Sequence, residues 1–500
     1  MININDTDPN DLLDKMLTLR NEVYEEGMEY YNGWEPSIGN HDFKNSALNL
    51  SHYLALRRRD IRDIQEELSP WGLSSLERLE SGTMDTIDAV ISSLGKITGR
   101  NVEPICYPPK SNFTTGREQL MKNAESLFGK CPDTRNTRIM VTMPSESCKN
   151  YRMVFELMDR GMDVARINSA HDDPDVWEGI IKNIRRAEEC LGKTCKVFMD
   201  IAGPKSRISW IFSGKNKSKV GVGDEFILTG RKNVSTEREV NLVIGCSSPE
   251  MFEHLLIGDR VFIDDGIVEG KVEDVLDEGL LVRVNKVQAP KGIRLKVDKG
   301  INFPDADIKK DVVTDKDRQD LDFICNNADI IGISFVKSAE DIEFFLSEIR
   351  NRVPLEKING IPLIAKIETI HGVNNLPEII METAGRRPFG VMIARGDLAV
   401  ESGYLRLAEL QQEILRICEA SDIPVIWATQ VLDNMVTTGI PTRAEVTDVA
   451  EGGAHSECVM LNKGNCLIDT MCFLDKALER LERPFLGPVI DTEFFFKCCL

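Results

Sequence analysis

No run of about 18 apolar residues occurs in this sequence, so no helical membrane span is expected. Its 13 cysteines include no CxxC pair and no Cys/His spacing of the zinc-binding kind. Several fall inside apolar runs (Cys325, Cys418, Cys458), as suits buried free thiols, and a reducing, cytoplasmic setting is expected. The closing KCCL has no cysteine four residues from the end, so it fails the prenylation pattern. The opening MININDTDPND is acidic without an apolar core, and neither a signal nor a transit peptide is expected. Positive charge is short overall. A formal net charge of −20 argues against non-specific nucleic-acid binding, although a local Arg/Lys cluster still suits small anions. Histidines number only 6, and no Ser, Cys and His fall together at motif spacing, so covalent catalysis is not expected. A GxxxxGK[ST] phosphate loop is also missing.

What is there exceeds a single core. A chain of 500 residues, 42% hydrophobic and 28% charged, suits a globular protein of two or three domains. Residues 1–100 read as helices, with apolar residues at three- and four-residue spacing and a break at Ser69-Pro70. Arg57, Arg58 and Arg59, followed by Asp60, Arg62 and Asp63, read as a solvated face with ion pairs. Residues 101–130 read as a linker and a helix, with Pro104, Pro108, Pro109 and Gly116 marking the linker over 101–118.

From residue 138 the rhythm changes. Continuous apolar, β-branched runs recur with helix-like segments between them: RIMVTM, MDVARIN, KVFMDIA, then DIIGISF, PLIAKIE, FGVMIAR, IPVIWATQ and ECVMLN. Strands without alternation are buried on both faces, as in a parallel sheet, and eight such units predict a TIM (β/α)8 barrel. No sequence repeat accompanies the rhythm, which disfavours a solenoid. Residues 208–298 differ: short β segments punctuated by Gly and Asp predict an all-β lid inserted between the third and fourth strands. The barrel is then expected over 131–207 and 299–486, with a tail over 487–500.

Charged residues collect where buried strands should stop. The second run ends in Arg166, Asn168 and His171, and the third in Asp200, Gly203, Lys205 and Arg207. The fourth gives Ser334 and Lys337, the fifth Lys366 and Glu368, the sixth Gly396 and Asp397, and the seventh Thr429. Surface ion pairs at strand tips are the bland reading. Burying an unpaired charge costs several kcal/mol, so six polar tips in succession favour a metal and anion site at the C-terminal end of a barrel. Two carboxylates with several Arg and Lys suit magnesium and an anionic substrate. Positioning plus charge neutralisation is the strategy of phosphoryl transfer.

Taken in order, GMDVARIN, MDIAGPKSR, FIDDG, KGINFP, ISFV, AKIE, MIARGDLAVE, ATQ and PTRAEVTDVA resemble pyruvate kinase from about Arg138 to Lys463. The resemblance implies a cytoplasmic, Mg2+-dependent phosphotransferase of the last step of glycolysis. It would convert phosphoenolpyruvate and ADP to pyruvate and ATP, with Mn2+ able to substitute. By motif, Glu368 and Asp397 would ligate the metal, and Lys366 would neutralise charge on the transferring phosphoryl group and the enolate. Arg166 would hold the phosphate; Gly396 and Thr429 would line the substrate pocket, Thr429 near the carbon that takes up a proton. Arg207 and Lys299 would contact nucleotide phosphates, with Asn168 and His171 nearby.

The chain also departs from the family. Potassium-using members bind that ion through Asn and Ser after the second strand and Asp and Thr after the third. Here Asn168 and Asp200 remain, Ala170 and Ile201 replace the hydroxyl residues, and Lys205 stands where the family has Glu. Lys205 is therefore expected to substitute for potassium, making that ion unnecessary. TMPSES replaces the family's TIGPAS and MLNKGN its MLSGETA, putting Lys463 near the rim as an ion pair or an anion contact. Little chain follows, so the C-terminal regulatory domain is expected to be missing. The N-terminal helices lie outside the common core and would either support a homo-oligomer or cover the barrel bottom. A Mg2+-dependent pyruvate-enolate lyase or aldolase, and a non-catalytic regulator that kept the pocket, stay open as alternatives; Arg207 and Lys299 favour the kinase. No nucleic-acid or membrane partner is expected.

Overall fold

The structure, a computed structural model, describes residues 8–213, 219–232, 242–306, 311–354, 358 and 360–482. The expected tail over 487–500 lies outside the described residues. Eight parallel strands close into a barrel: β1 (Arg138–Thr142), β2 (Val164–Asn168), β3 (Lys196–Asp200), β11 (Ile330–Ile333), β12 (Leu363–Ile367), β13 (Phe389–Ala394), β14 (Val425–Ala428) and β15 (Cys458–Leu461). They neighbour one another in sequence order, as the eight apolar runs predict. Every residue of β1, β11, β12, β13, β14 and β15 is buried, which explains why these strands do not alternate.

A second sheet of seven strands orders β10 (Ile301–Asn302), β7 (Arg260–Ile263), β8 (Val268–Leu276), β9 (Gly279–Val287), β5 (Glu225–Thr229), β6 (Leu242–Cys246) and β4 (Ile208–Ser213). Alternation is clear on β5: Phe226 and Leu228 enter the main core with Ile244, Val282 and Ile301, whereas Ile227 joins Val243 and Leu281 on the opposite face. The β5–β6 pair is parallel, whereas β8–β9 and β7–β8 are antiparallel.

The chain divides into two compact units, residues 1–127, 167–174 and 197–425, and residues 128–166, 175–196 and 426–500. In the first unit, α1 (Pro9–Trp34), α2 (Lys44–Arg57), α3 (Arg62–Leu68), α4 (Thr83–Thr98) and α5 (Asn112–Phe128) precede the barrel. The Asp8 carboxylate accepts from the Asn10 N–H at 2.9 Å and starts α1 ahead of Pro9. Leu12, Leu13, Met16, Leu19 and Val23 of α1 are buried, one stripe of a 3.6-residue period. The arginine run does form ion pairs, Arg58 and Arg59 with Glu26 of α1 and Arg57 with Glu413. These helices meet the segments that lead into β13 and β14: Asn40 N–H donates to Gly385 O at 2.6 Å, and Asn49 Nδ2 to Ala420 O at 2.9 Å. Those segments lie at the N-terminal ends of the strands, so this contact favours the reading of a barrel-bottom cover.

Two local readings change. The helix α5 begins at Asn112, inside the stretch expected as linker. Gly116 serves close approach there rather than flexibility, because a Cβ would sit 2.6 Å from Ser81 O. The long N-terminal helical pattern also breaks at Arg58–Ile61, before the Ser69-Pro70 break, where the Asp60 carboxylate accepts from the Arg62 N–H.

Candidate active site

Strand ends of the first unit converge on one network of charges. Lys366 near the end of β12 places its ammonium 2.7 Å from Ser334 Oγ, 3.1 Å from Asp200 Oδ2 and 3.2 Å from Glu368 Oε1. Asp200 and Glu368 are almost wholly buried, so desolvation raises the energy of both charges unless a cation faces them. Glu368 Oε2 also accepts the N–H of Phe335, whose φ of 58° lies in the left-handed region. Burial pushes the Glu368 carboxyl up; Lys366 pulls it back and Asp397 pushes it up again. Asp397 is thus near enough to act on Glu368.

The backbone after β3 turns sharply. Gly203 has φ +68°, Lys205 N–H donates to Gly203 O at 2.9 Å, and the Asp317 carboxylate accepts from Ala202 N–H at 2.9 Å. A Cβ on Gly203 would lie 2.8 Å from the Ser334 Cβ, so both the turn and the approach require glycine. That turn sends Lys205 to Asp397, 2.7 Å from Oδ1, and to Asp265, 3.3 Å from Oδ1. Burial disfavours the Lys205 charge, but Asp397 and Asp265 outweigh it and hold the ammonium above the ordinary lysine range. Asp200 carries Lys366, and Lys205, the expected substitute for potassium, lies on Asp397.

Other expected residues sit as follows. In the first unit, Asn168 Oδ1 accepts from Ala170 N–H at 3.0 Å, and His171 N–H donates to Asn168 O at 3.1 Å. Arg207 Nη1 donates to Asp298 O at 2.9 Å, and Lys299 pairs with Asp264 at 2.7 Å. Gly396 lies in the helix Arg395–Ser402 with Asp397. Arg166 and Thr429 belong to the second unit. There Arg166 donates to Thr142 Oγ1 at 3.2 Å, and Thr429, with φ 63°, donates its hydroxyl to Ala428 O at 2.7 Å. Lys463 is exposed just past β15.

Three residues escaped the sequence reading. Asn302 is buried and donates Nδ2 to Asp397 Oδ1 at 3.1 Å, while its own Oδ1 has no hydrogen-bond partner among the described residues. Asp265 reaches Lys205 because Asp264 and Asp265 are both left-handed, at φ 56° and 52°. Glu401 is pushed up to about 7 by burial, with Lys337 opposing and Asp397 adding to the shift. All three lie in quoted motifs, KGINFP, FIDDG and MIARGDLAVE.

The donor set fits a divalent cation. Asp200 and Glu368 pair with Lys366, and Asp397 and Asp265 with Lys205, so carboxylate oxygens and ammonium groups meet in one cluster. No group of three or more His, Cys, Asp or Glu poised for a metal occurs among the described residues. Two hard oxygen donors completed by substrate oxygens and water are what Mg2+ accepts.

Residues 134–466 match the family model described as pyruvate kinase, barrel domain. Similar proteins include a pyruvate kinase of Dictyostelium discoideum, 32% identical over 335 residues, covering 65% of this chain and 61% of that protein. A pyruvate kinase of Clostridium perfringens is 32% identical over 316 residues, covering 63% of this chain and 62% of its own length. The crystal structure of a pyruvate kinase from Cryptosporidium parvum aligns with a TM-score of 0.62 at 28% identity, over 74% of this chain and 75% of that one. The chain thus spans about three fifths of the curated relatives it matches, 61% and 62% in these cases. By the span and description of that family match, this chain belongs to the pyruvate kinase family.

Proposed function

We propose that this protein transfers the phosphoryl group of phosphoenolpyruvate to ADP, giving ATP and pyruvate, as a cytoplasmic enzyme of the last step of glycolysis. The observation that carries the reading is the Lys366 ammonium held between buried Asp200 and Glu368, with Asp397 close enough to perturb Glu368. Glu368 and Asp397 would hold Mg2+, or Mn2+ in its place, which supplies charge neutralisation for the phosphate and carboxylate of the substrate. Lys366 stabilises the phosphoryl group as its bond to the enol oxygen breaks and a bond to an ADP oxygen forms. It also faces the enolate left behind, which takes up a proton at carbon to become pyruvate; Thr429 lies near that carbon in the motif-based reading. Arg166 holds the phosphate, and Gly396 lines the pocket. Arg207 and Lys299, backed by Asn168 and His171, hold nucleotide phosphates, with the seven-stranded sheet as a lid that excludes water. For Lys299 this requires its ammonium to leave Asp264.

The test is release of pyruvate from phosphoenolpyruvate and ADP, followed through lactate dehydrogenase. Turnover is expected with Mg2+, to stop on chelation and to return with Mn2+. A folded protein that releases no pyruvate under these conditions overturns the reading.

We also propose that potassium is dispensable. Lys205 brings a fixed positive charge to the cluster, within reach of both Asp397 and Asp265, and Ala170 and Ile201 offer no hydroxyl oxygen. Replacing potassium by tetramethylammonium is expected to leave turnover unchanged; a steep dependence on potassium would refute this.

A further inference from the structure

We propose that Lys205 is a built-in competitor of the divalent cation at Asp397, displaced onto the lid carboxylate of Asp265 when the cation binds. The inference rests on the reading of Glu368 and Asp397 as the metal-holding pair. Its own support is the arrangement around one oxygen. Asp397 Oδ1 receives the Lys205 ammonium at 2.7 Å and the Asn302 amide at 3.1 Å. A carboxylate oxygen has about two lone-pair positions, so these two donors fill it. A cation can then take Oδ1 only by removing one of them, and any cation on Oδ2 still meets the neighbouring ammonium at close range.

The two donors differ in where they could go. Asn302 is buried in β10, and its short side chain has only two torsions with which to move. Lys205 has a long, flexible stem and a second carboxylate already within reach, Asp265 at 3.3 Å. Asp265 is 54% exposed at its side chain against 13% for Asp397, so it keeps an ammonium stable in a wetter place. Asp265 belongs to the turn Asp264–Gly266 between β7 and β8, where three successive residues have positive φ. Lys205 therefore ties that turn of the second sheet to Asp397, and release from Asp397 leaves it bound to the turn alone. Asp397 exchanges a singly charged partner for a doubly charged one, while Lys205 keeps a carboxylate partner in Asp265. The same ammonium offsets the charge of half-buried Asp397 beside buried Glu368.

The experiment measures Mn2+ binding to the full chain without substrate, by the electron-paramagnetic-resonance signal of the free ion. Lys205→Met is expected to bind Mn2+ about tenfold tighter or more, because a like charge beside the ligand is removed. Asp265→Asn keeps Lys205 but weakens its alternative seat, and is expected to bind Mn2+ more weakly than the unaltered chain. Equal affinities in the unaltered chain, Lys205→Met and Asp265→Asn overturn the proposal, with folding checked by thermal melting. Asp265→Asn guards against a Lys205→Met chain that does not fold. The underlying reading has its own control: Glu368→Gln combined with Asp397→Asn should abolish the binding. If Mn2+ binds that double variant unchanged, the metal assignment fails and the competition with it.

Discussion

Lys366→Met is expected to lower kcat for pyruvate formation by about 10³-fold or more, with a much smaller change in KM for phosphoenolpyruvate. The asymmetry follows from what the ammonium faces. Charge on the transferring group and the enolate oxygen grows on the way to the transition state, so a fixed positive charge there acts chiefly on turnover. The same substitution disturbs the ground-state fold. It leaves Asp200 and Glu368 buried without the cation that lies 3.1 and 3.2 Å from them, and breaking such a pair costs about 3–5 kcal/mol. A fall in the melting temperature should accompany the lost activity, and phosphoenolpyruvate binding to the folded fraction separates the two effects. Lys366→Arg keeps the charge in a bulkier, planar form beside Ser334 Oγ and should restore stability before it restores rate. A Lys366→Met chain that turns over normally would remove Lys366 from the reaction.

The barrel was legible because each strand is buried on both faces. RIMVT and LIAKI carry no alternation to confuse them with solvated strands, and their order along the chain is their order around the barrel. The polar tips were legible for the same reason: Lys366 and Glu368 stand out against an apolar run. What each charge touches was less legible. Lys205 could reach several carboxylates, and its place on Asp397 depends on the Gly203 turn and on the turn of left-handed aspartates between β7 and β8. Asn302 gave a signal only as part of KGINFP, since a lone amide in a short strand resembles an ordinary edge residue. Glycine misled only at the end of 101–118: Pro104, Pro108 and Pro109 lie outside helix and strand, as expected of a linker, but Gly116 sits in α5 and serves helix packing. Propensity reads the local backbone; close approach of another segment is a tertiary fact.

Asp422→Asn is expected to stabilise the protein above neutral pH and to do little in acid. Asp422 precedes β14 and is buried; its Oδ2 accepts the Ser46 hydroxyl of α2 at 2.7 Å, and its backbone carbonyl accepts Asn123 Nδ2 of α5 at 2.7 Å. Burial pushes its carboxyl up to about 7, the Ser46 hydroxyl pulls it back, and Glu419 adds to the rise. The ordinary value is 3.8, so as pH rises from there towards 7 the unfolded chain loses the proton while the folded chain keeps it. Stability is then full below the unfolded value, falls through this window, and levels off once both states are ionised. The loss at this one group is of the order of 4 kcal/mol. Asparagine has the same shape, still accepts from Ser46 and does not titrate. The melting-temperature difference between variant and parent should therefore grow from near zero at about pH 4 to its maximum at about pH 8. Because Ser46 and Asn123 belong to the N-terminal helices, the same pH range should expose those helices to proteolysis in the parent and spare them in the variant. A difference that does not change with pH would mean that Asp422 is ionised throughout, and that the helices are held to the barrel without its proton.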